Sequence, residues 1–127
     1  MTTNSFVLIV QDGEEVPTPI RYDQFVQRLF KVESMNGMLQ HAALGIAGEA
    51  GEIVDALKKH TVYGKPLDLA NVIEELGDMR FYMEAVMNLL GISDQEVLQS
   101  NANKLATRYK SLTYSPEAAI ERADKNV

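Results

Sequence analysis

Residues 41–78 read HAALGIAGEAGEIVDALKKHTVYGKPLDLANVIEELGD, and the period of their apolar positions decides the fold. Leu39, Ala42, Ile46, Ala50, Ile53 and Leu57 recur at three- and four-residue steps, which predicts a long helix from Gly37 to His60. Tyr63-Gly64-Lys65-Pro66 ends it, because proline and glycine continue a helix only at a cost. The same period returns through Leu69, Val72, Leu76, Met83, Val86 and Leu90, predicting a second long helix from Asp68 to Leu90 with Gly91 as its C-cap. Working outward, Tyr22 to about Glu33 forms a short helix with Phe25, Leu29 and Val32 on one face. Ser93-Asp94-Gln95-Glu96 fits a capping box opening a helix that runs to about Tyr109. Ser115-Pro116 opens a last short helix that frays at Lys125-Asn126-Val127. The connections are short, so neighbouring helices run antiparallel.

The first 21 residues read differently. Ser5-Phe6-Val7-Leu8-Ile9-Val10 is a β-type run, Gln11-Asp12-Gly13 is a turn signal, and Val16-Pro17-Thr18-Pro19 holds the backbone extended. This is a short strand or hairpin, or an arm lying on a partner subunit. The expected organisation is an N-terminal arm over 1–21 and a helical domain over 22–127. The fold class is all-α: an antiparallel bundle of four to five helices with a strand-like N-terminal arm. Both long helices carry wide apolar stripes that so small an interior cannot absorb, so the bundle is expected to be completed by oligomerisation, as a homodimer or homotetramer.

At 127 residues the chain suits one domain. It has no cysteine, which excludes disulfides, thiolate metal sites and cysteine nucleophiles. With only His41 and His60 available, any metal site must be rich in carboxylates. The net charge of −6 repels polyphosphate backbones, so no nucleic-acid polymer is expected as a partner. No stretch approaches the roughly 18 apolar residues of a membrane span, and no signal peptide is visible, so no membrane partner and a cytoplasmic location are expected.

The first long helix carries Glu49-Ala50-Gly51-Glu52 and the second Glu75-Leu76-Gly77-Asp78. A three-residue step leaves two helical side chains about 60° apart, on one flank. Two such pairs on antiparallel helices can present four carboxylates to one point, the oxygen-only ligation that Mg²⁺ or Mn²⁺ prefers. His41, Gly45 and Lys59 share the edge of Glu49, and Gly45 leaves room for something to approach the backbone. Glu75, Asp78 and Tyr82 share an edge of the second helix. On the next, Val97, Asn101, Lys104 and Arg108 form a strip beside Leu98, Ala102, Leu105 and Tyr109, where amide and cationic donors suit phosphate or sugar. The Gly45-to-Gly51 stretch lacks the strand and the Gly-Lys-Ser/Thr of a phosphate-binding loop; its glycines suit close helix approach. Met79, Met83 and Met87 read as core or interface.

The run from His41 to Asp78 resembles the MazG-like all-α nucleoside triphosphate pyrophosphohydrolases, above all the small single-domain type of phages and bacteria. Glu49, Glu52, Glu75 and Asp78 match the family's Glu-x-x-Glu and Glu-x-x-Asp signature. The segment NANKLATRY, with Asn101, Lys104, Arg108 and Tyr109, resembles the family's Asn-x-x-Lys-Leu-x-x-Arg-Tyr, and TYSPEAAIER its closing helix. The likeness covers about Tyr22 to Lys125; the strand-like arm falls outside it, and Lys110 stands where a proline is frequent. The resemblance implies that the four acids bind Mg²⁺, with Mn²⁺ able to substitute, and that an NTP or dNTP is converted to the monophosphate and pyrophosphate in nucleotide-pool housecleaning. Glu52 is then the catalytic residue, holding metal and orienting or deprotonating water. Lys59, Lys104 and Arg108 contact phosphate oxygens, and His41, Asn101 and Tyr109 contact sugar or base. Two other readings stand beside this one. A non-catalytic helical protein could bind a nucleotide or a partner, and the same fold could act on phosphoribosyl-ATP or an alarmone.

Overall fold

The computed structural model describes residues 5–15, 19–30 and 34–125. Val16-Pro17-Thr18, Val32 and the final Asn126-Val127, on which expectations were placed, lie outside them. The described residues form two compact units, one within 5–91 and one within 92–125.

In the first unit the N-terminal stretch forms a pair of antiparallel ladders. Strand β1 (Phe6–Val7) pairs with β4 (Ile20–Arg21), Phe6 opposite Arg21 and Val7 opposite Ile20. Inside that frame, β2 (Val10–Gln11) pairs with β3 (Glu14–Glu15). Asp12 and Gly13 turn the hairpin with φ of 53° and 80°, and positive values at both central positions give the twist that two-residue hairpins favour. Within the chain the stretch forms the hairpin that was one of its expected readings. The Tyr22 amide then donates to the Ser5 carbonyl at 2.8 Å, so the ladder leads straight into helix α1 (Tyr22–Leu29).

Helix α2 (Met35–Thr61) begins two residues earlier than the periodicity suggests, because Ser34 accepts from the Gly37 amide at 3.0 Å and caps it. Helix α3 (Leu69–Leu90) starts where Asp68 accepts from the Asn71 amide at 3.1 Å. It stops at Gly91, whose φ of 67° is the left-handed C-cap conformation. Gly45 faces Tyr82 while Glu49 meets Glu75 and Asp78, so α2 and α3 run antiparallel. Val26, Ala42 and Ala85 are fully buried where α1, α2 and α3 meet, with Tyr22, Phe30, Phe81, Tyr82 and Val86 packed around them. Asn88 ties α3 to the start of α1 by donating to the Asp23 carbonyl at 2.9 Å. Glu84 is buried, paired with Arg80 at 3.5 Å, and the Arg80 guanidinium lies over the Tyr22 ring at 5.6 Å.

Of the stripe that marks α3 in the sequence, Val86 packs on this core but the leucines do not. Leu69, Leu76 and Leu90 are more than half exposed, as is Ile73, whereas the inward positions are Phe81, Tyr82 and Ala85. Of the three spaced methionines, Met87 is buried and Met83 exposed. The inner face of α3 is reached by Phe81, Tyr82, Ala85 and Val86, and the regular leucines lie outward.

In the second unit, α4 (Asp94–Arg108) opens with the full capping box: Ser93 accepts from the Glu96 amide at 3.0 Å and Glu96 accepts from the Ser93 amide at 2.8 Å. Helix α5 (Pro116–Glu121) is capped by Ser115, and a 3₁₀ turn, Ala123–Lys125, follows. Arg108 Nε and Nη2 donate to Asp124 at 2.8 and 3.3 Å and hold that turn against α4. The described residues thus contain five α-helices and little strand, the all-α class expected.

Candidate metal centre

One carboxylate oxygen each from Glu49, Glu75 and Asp78 lies within 4.8 Å of the other two. Their convergence follows from the spacing: Glu75 and Asp78 sit one turn apart on α3, and antiparallel packing brings Glu49 of α2 opposite them. Glu52 stands outside this triangle and is exposed, yet its charge reaches Glu75. Glu75 is held above the ordinary glutamate range by partial burial, by a hydrogen bond shared with Glu49, and by the negative charges of Glu52, Glu49 and Asp78. A donor set made only of carboxylates, whose mutual repulsion disfavours ionisation of Glu75, fits a hard divalent cation. Mg²⁺ or Mn²⁺ would be held by Glu49, Glu75 and Asp78, with Glu52 beside them.

Along the same seam lies a stack of rings. Tyr82 follows Asp78 by one turn and packs at 5.8 Å from His41, 6.4 Å from Phe30 and 5.3 Å from Phe81. Phe30 in turn lies 5.1 Å from His41. The space that Gly45 leaves is therefore filled from within the chain. A Cβ at Gly45 would lie 2.5–2.6 Å from three atoms of the Tyr82 ring. Gly48 and Gly51, also expected to permit close approach, have nothing within 4 Å of where a Cβ would stand. Of these three, Gly45, which faces an inward ring, is the one that performs that role.

The remaining predicted contacts are placed as follows. Lys59 is exposed and pairs with Asp55 at 3.2 Å, a partner readable from its four-residue spacing. Asn101 and Lys104 line a cavity of about 390 Å³ on α4 with Ile92, Glu96, Val97 and Ser100. Arg108 is engaged by Asp124, and that bond raises the arginine and lowers the aspartate from their usual ranges. Its partner sits 16 residues away in the chain, beyond the reach of helical spacing. Tyr109 packs against Tyr114 at 5.5 Å. Phe30 and Phe81 were not singled out in the sequence. Tyr82 was placed beside the acids, but its ring contacts across α2 required the packed structure.

No helix of the described residues is long and apolar enough to cross a membrane. Comparison with curated proteins and with solved structures gives no match. The family model of the MazG nucleotide pyrophosphohydrolase domain, however, matches residues 39–113, which takes in both acid motifs and all of α4. With more than half of its 127 residues so matched, the chain belongs to the MazG nucleotide pyrophosphohydrolase family.

Proposed function

We propose that this protein hydrolyses a nucleoside or deoxynucleoside triphosphate to the monophosphate and pyrophosphate, dependent on Mg²⁺ or Mn²⁺. The convergence of Glu49, Glu75 and Asp78 on one point, inside the region matched to the family, carries the reading. A bound cation there neutralises the triphosphate and lowers the pKa of an attacking water. Glu52, close to but outside the triangle, is the group free to orient that water and accept its proton. The water oxygen forms a bond to the α-phosphorus, and the bond from that phosphorus to the bridging oxygen breaks. Pyrophosphate then leaves with charge that cationic side chains stabilise. Lys59 and Lys104 are assigned to phosphate oxygens, and His41, Asn101 and Tyr109 to sugar or base. Arg108 belongs to the phosphate contacts only if substrate draws its guanidinium from Asp124.

The exposed apolar positions of α3 support assembly as a homodimer or homotetramer, and a cytoplasmic housecleaning role suits the reaction. The test is pyrophosphate release from the eight common NTPs and dNTPs with Mg²⁺, Mn²⁺ or EDTA. Metal-dependent release is expected from one or a few of them. Glu52→Gln and Asp78→Asn are expected to abolish turnover with the helical circular-dichroism signal intact. Full activity in either variant, or in EDTA, refutes the assignment.

A further inference from the structure

We infer that Tyr82, seated on Gly45, is a positioning residue that sets the gap across which α2 and α3 bring Glu49 to Glu75 and Asp78. This rests on the metal reading above and concerns how the site is held. Gly45 lies one turn before Glu49 on α2, and Tyr82 one turn after Asp78 on α3, so the contact is the next rung of the seam that carries the acids. At that rung the ring meets the α2 backbone directly; a single added methyl would lie 2.5 Å from the ring, closer than a Cβ tolerates. What it meets is the ring's own body, not the end of a flexible chain. The ring has nowhere to retreat, because His41, Phe30 and Phe81 pack on it at 5.8, 6.4 and 5.3 Å, the two phenylalanines nearly perpendicular to it. Any growth at Gly45 is therefore answered by separation of the helices.

One turn further along, separation is costly to metal binding. One carboxylate oxygen from each acid lies within 4.8 Å of the others, and Mg²⁺ takes oxygens at about 2.0–2.1 Å, so moving α2 away from α3 carries Glu49 out of the shell that Glu75 and Asp78 share with it. The tyrosine hydroxyl is not required: the flat ring is the spacer.

The experiment titrates Mn²⁺ alone into the full chain, following the free Mn²⁺ signal by electron paramagnetic resonance, with circular dichroism in parallel. Gly45→Ala is expected to weaken binding about ten- to a hundredfold, as loss of supporting contacts does at metal sites. Tyr82→Phe should bind as the wild type does. In a Tyr82→Ala background, adding Gly45→Ala should weaken binding no further than a few-fold, because the clash is gone. Should Gly45→Ala lose its helical signal, Tyr82→Leu carries the test with the glycine intact, and weaker binding than Tyr82→Phe is expected. Equal affinity in the wild type and in the folded Gly45→Ala or Tyr82→Leu variant overturns this inference while leaving the metal site standing. No Mn²⁺ binding by the wild type overturns the metal reading and the inference with it.

Discussion

Glu75 concentrates the electrostatic cost of the site. Its carboxyl is surrounded by Glu49, Glu52 and Asp78, and its affinity for protons is raised in the fold. A raised carboxyl pKa means that the folded state binds the proton more tightly than the unfolded chain does. The associated stability is present at low pH and is lost as pH rises through the folded value. We expect the metal-free wild type to lose stability relative to Glu75→Gln as pH climbs above the ordinary glutamate range. Saturating Mn²⁺ should reverse that difference. Thermal unfolding of both proteins across this range, in EDTA and in Mn²⁺, reads the effect; parallel curves in EDTA would show that the repulsion is absent. At this scale the acids were legible, since helical spacing alone puts Glu49, Glu75 and Asp78 on facing flanks. The partners of Arg108 and Gly45 were not. Asp124 and Tyr82 reach them through tertiary packing, and no local spacing encodes which ring fills a gap or which carboxylate claims a guanidinium.

Helix ends were the most readable elements, because their signals are chemical and local. Ser93 and Glu96 satisfy each other's backbone amides, and Gly91 takes a left-handed φ that costs other residues about 1 kcal/mol or more. Replacing Ser93 with alanine is expected to lower stability by about 1 kcal/mol in urea unfolding, with activity at saturating substrate retained. Val26→Ala, which removes two methyls from a fully buried site, should cost about 2 kcal/mol. Helix faces were less readable. The period of Leu69, Leu76, Met83 and Leu90 announced a helix correctly, but an apolar stripe does not say which neighbour it is for. On α3 the leucines of the stripe lie outward, and the core is reached by Phe81, Ala85 and Val86.

For the molecule as a whole, those outward leucines bear on assembly. Leu69, Ile73 and Leu76 are 59%, 62% and 51% exposed in the single chain, and their three- and four-residue spacing sets them along one side of α3. Sedimentation of the wild type is therefore expected to give a mass that is a multiple of 14.1 kDa. Ile73→Glu combined with Leu76→Glu should shift it toward the single chain while α-helical content persists. An unchanged profile in the double variant would place the contact elsewhere. The all-α class and the family were both accessible from the sequence, since helix period and the acid signature survive without any knowledge of packing. The sizes of the buried residues follow a different logic, one that reaches into how the protein can vary. The tightest positions, Ala42, Ala85 and Gly45, hold side chains at or near the smallest available. Val26 fails by shrinking, whereas these three positions have almost nothing to lose and fail only by growing. The substitutions tolerated along this seam are thus bounded from above, and a mutational scan should find its sharpest intolerance at residues whose side chains contribute least volume.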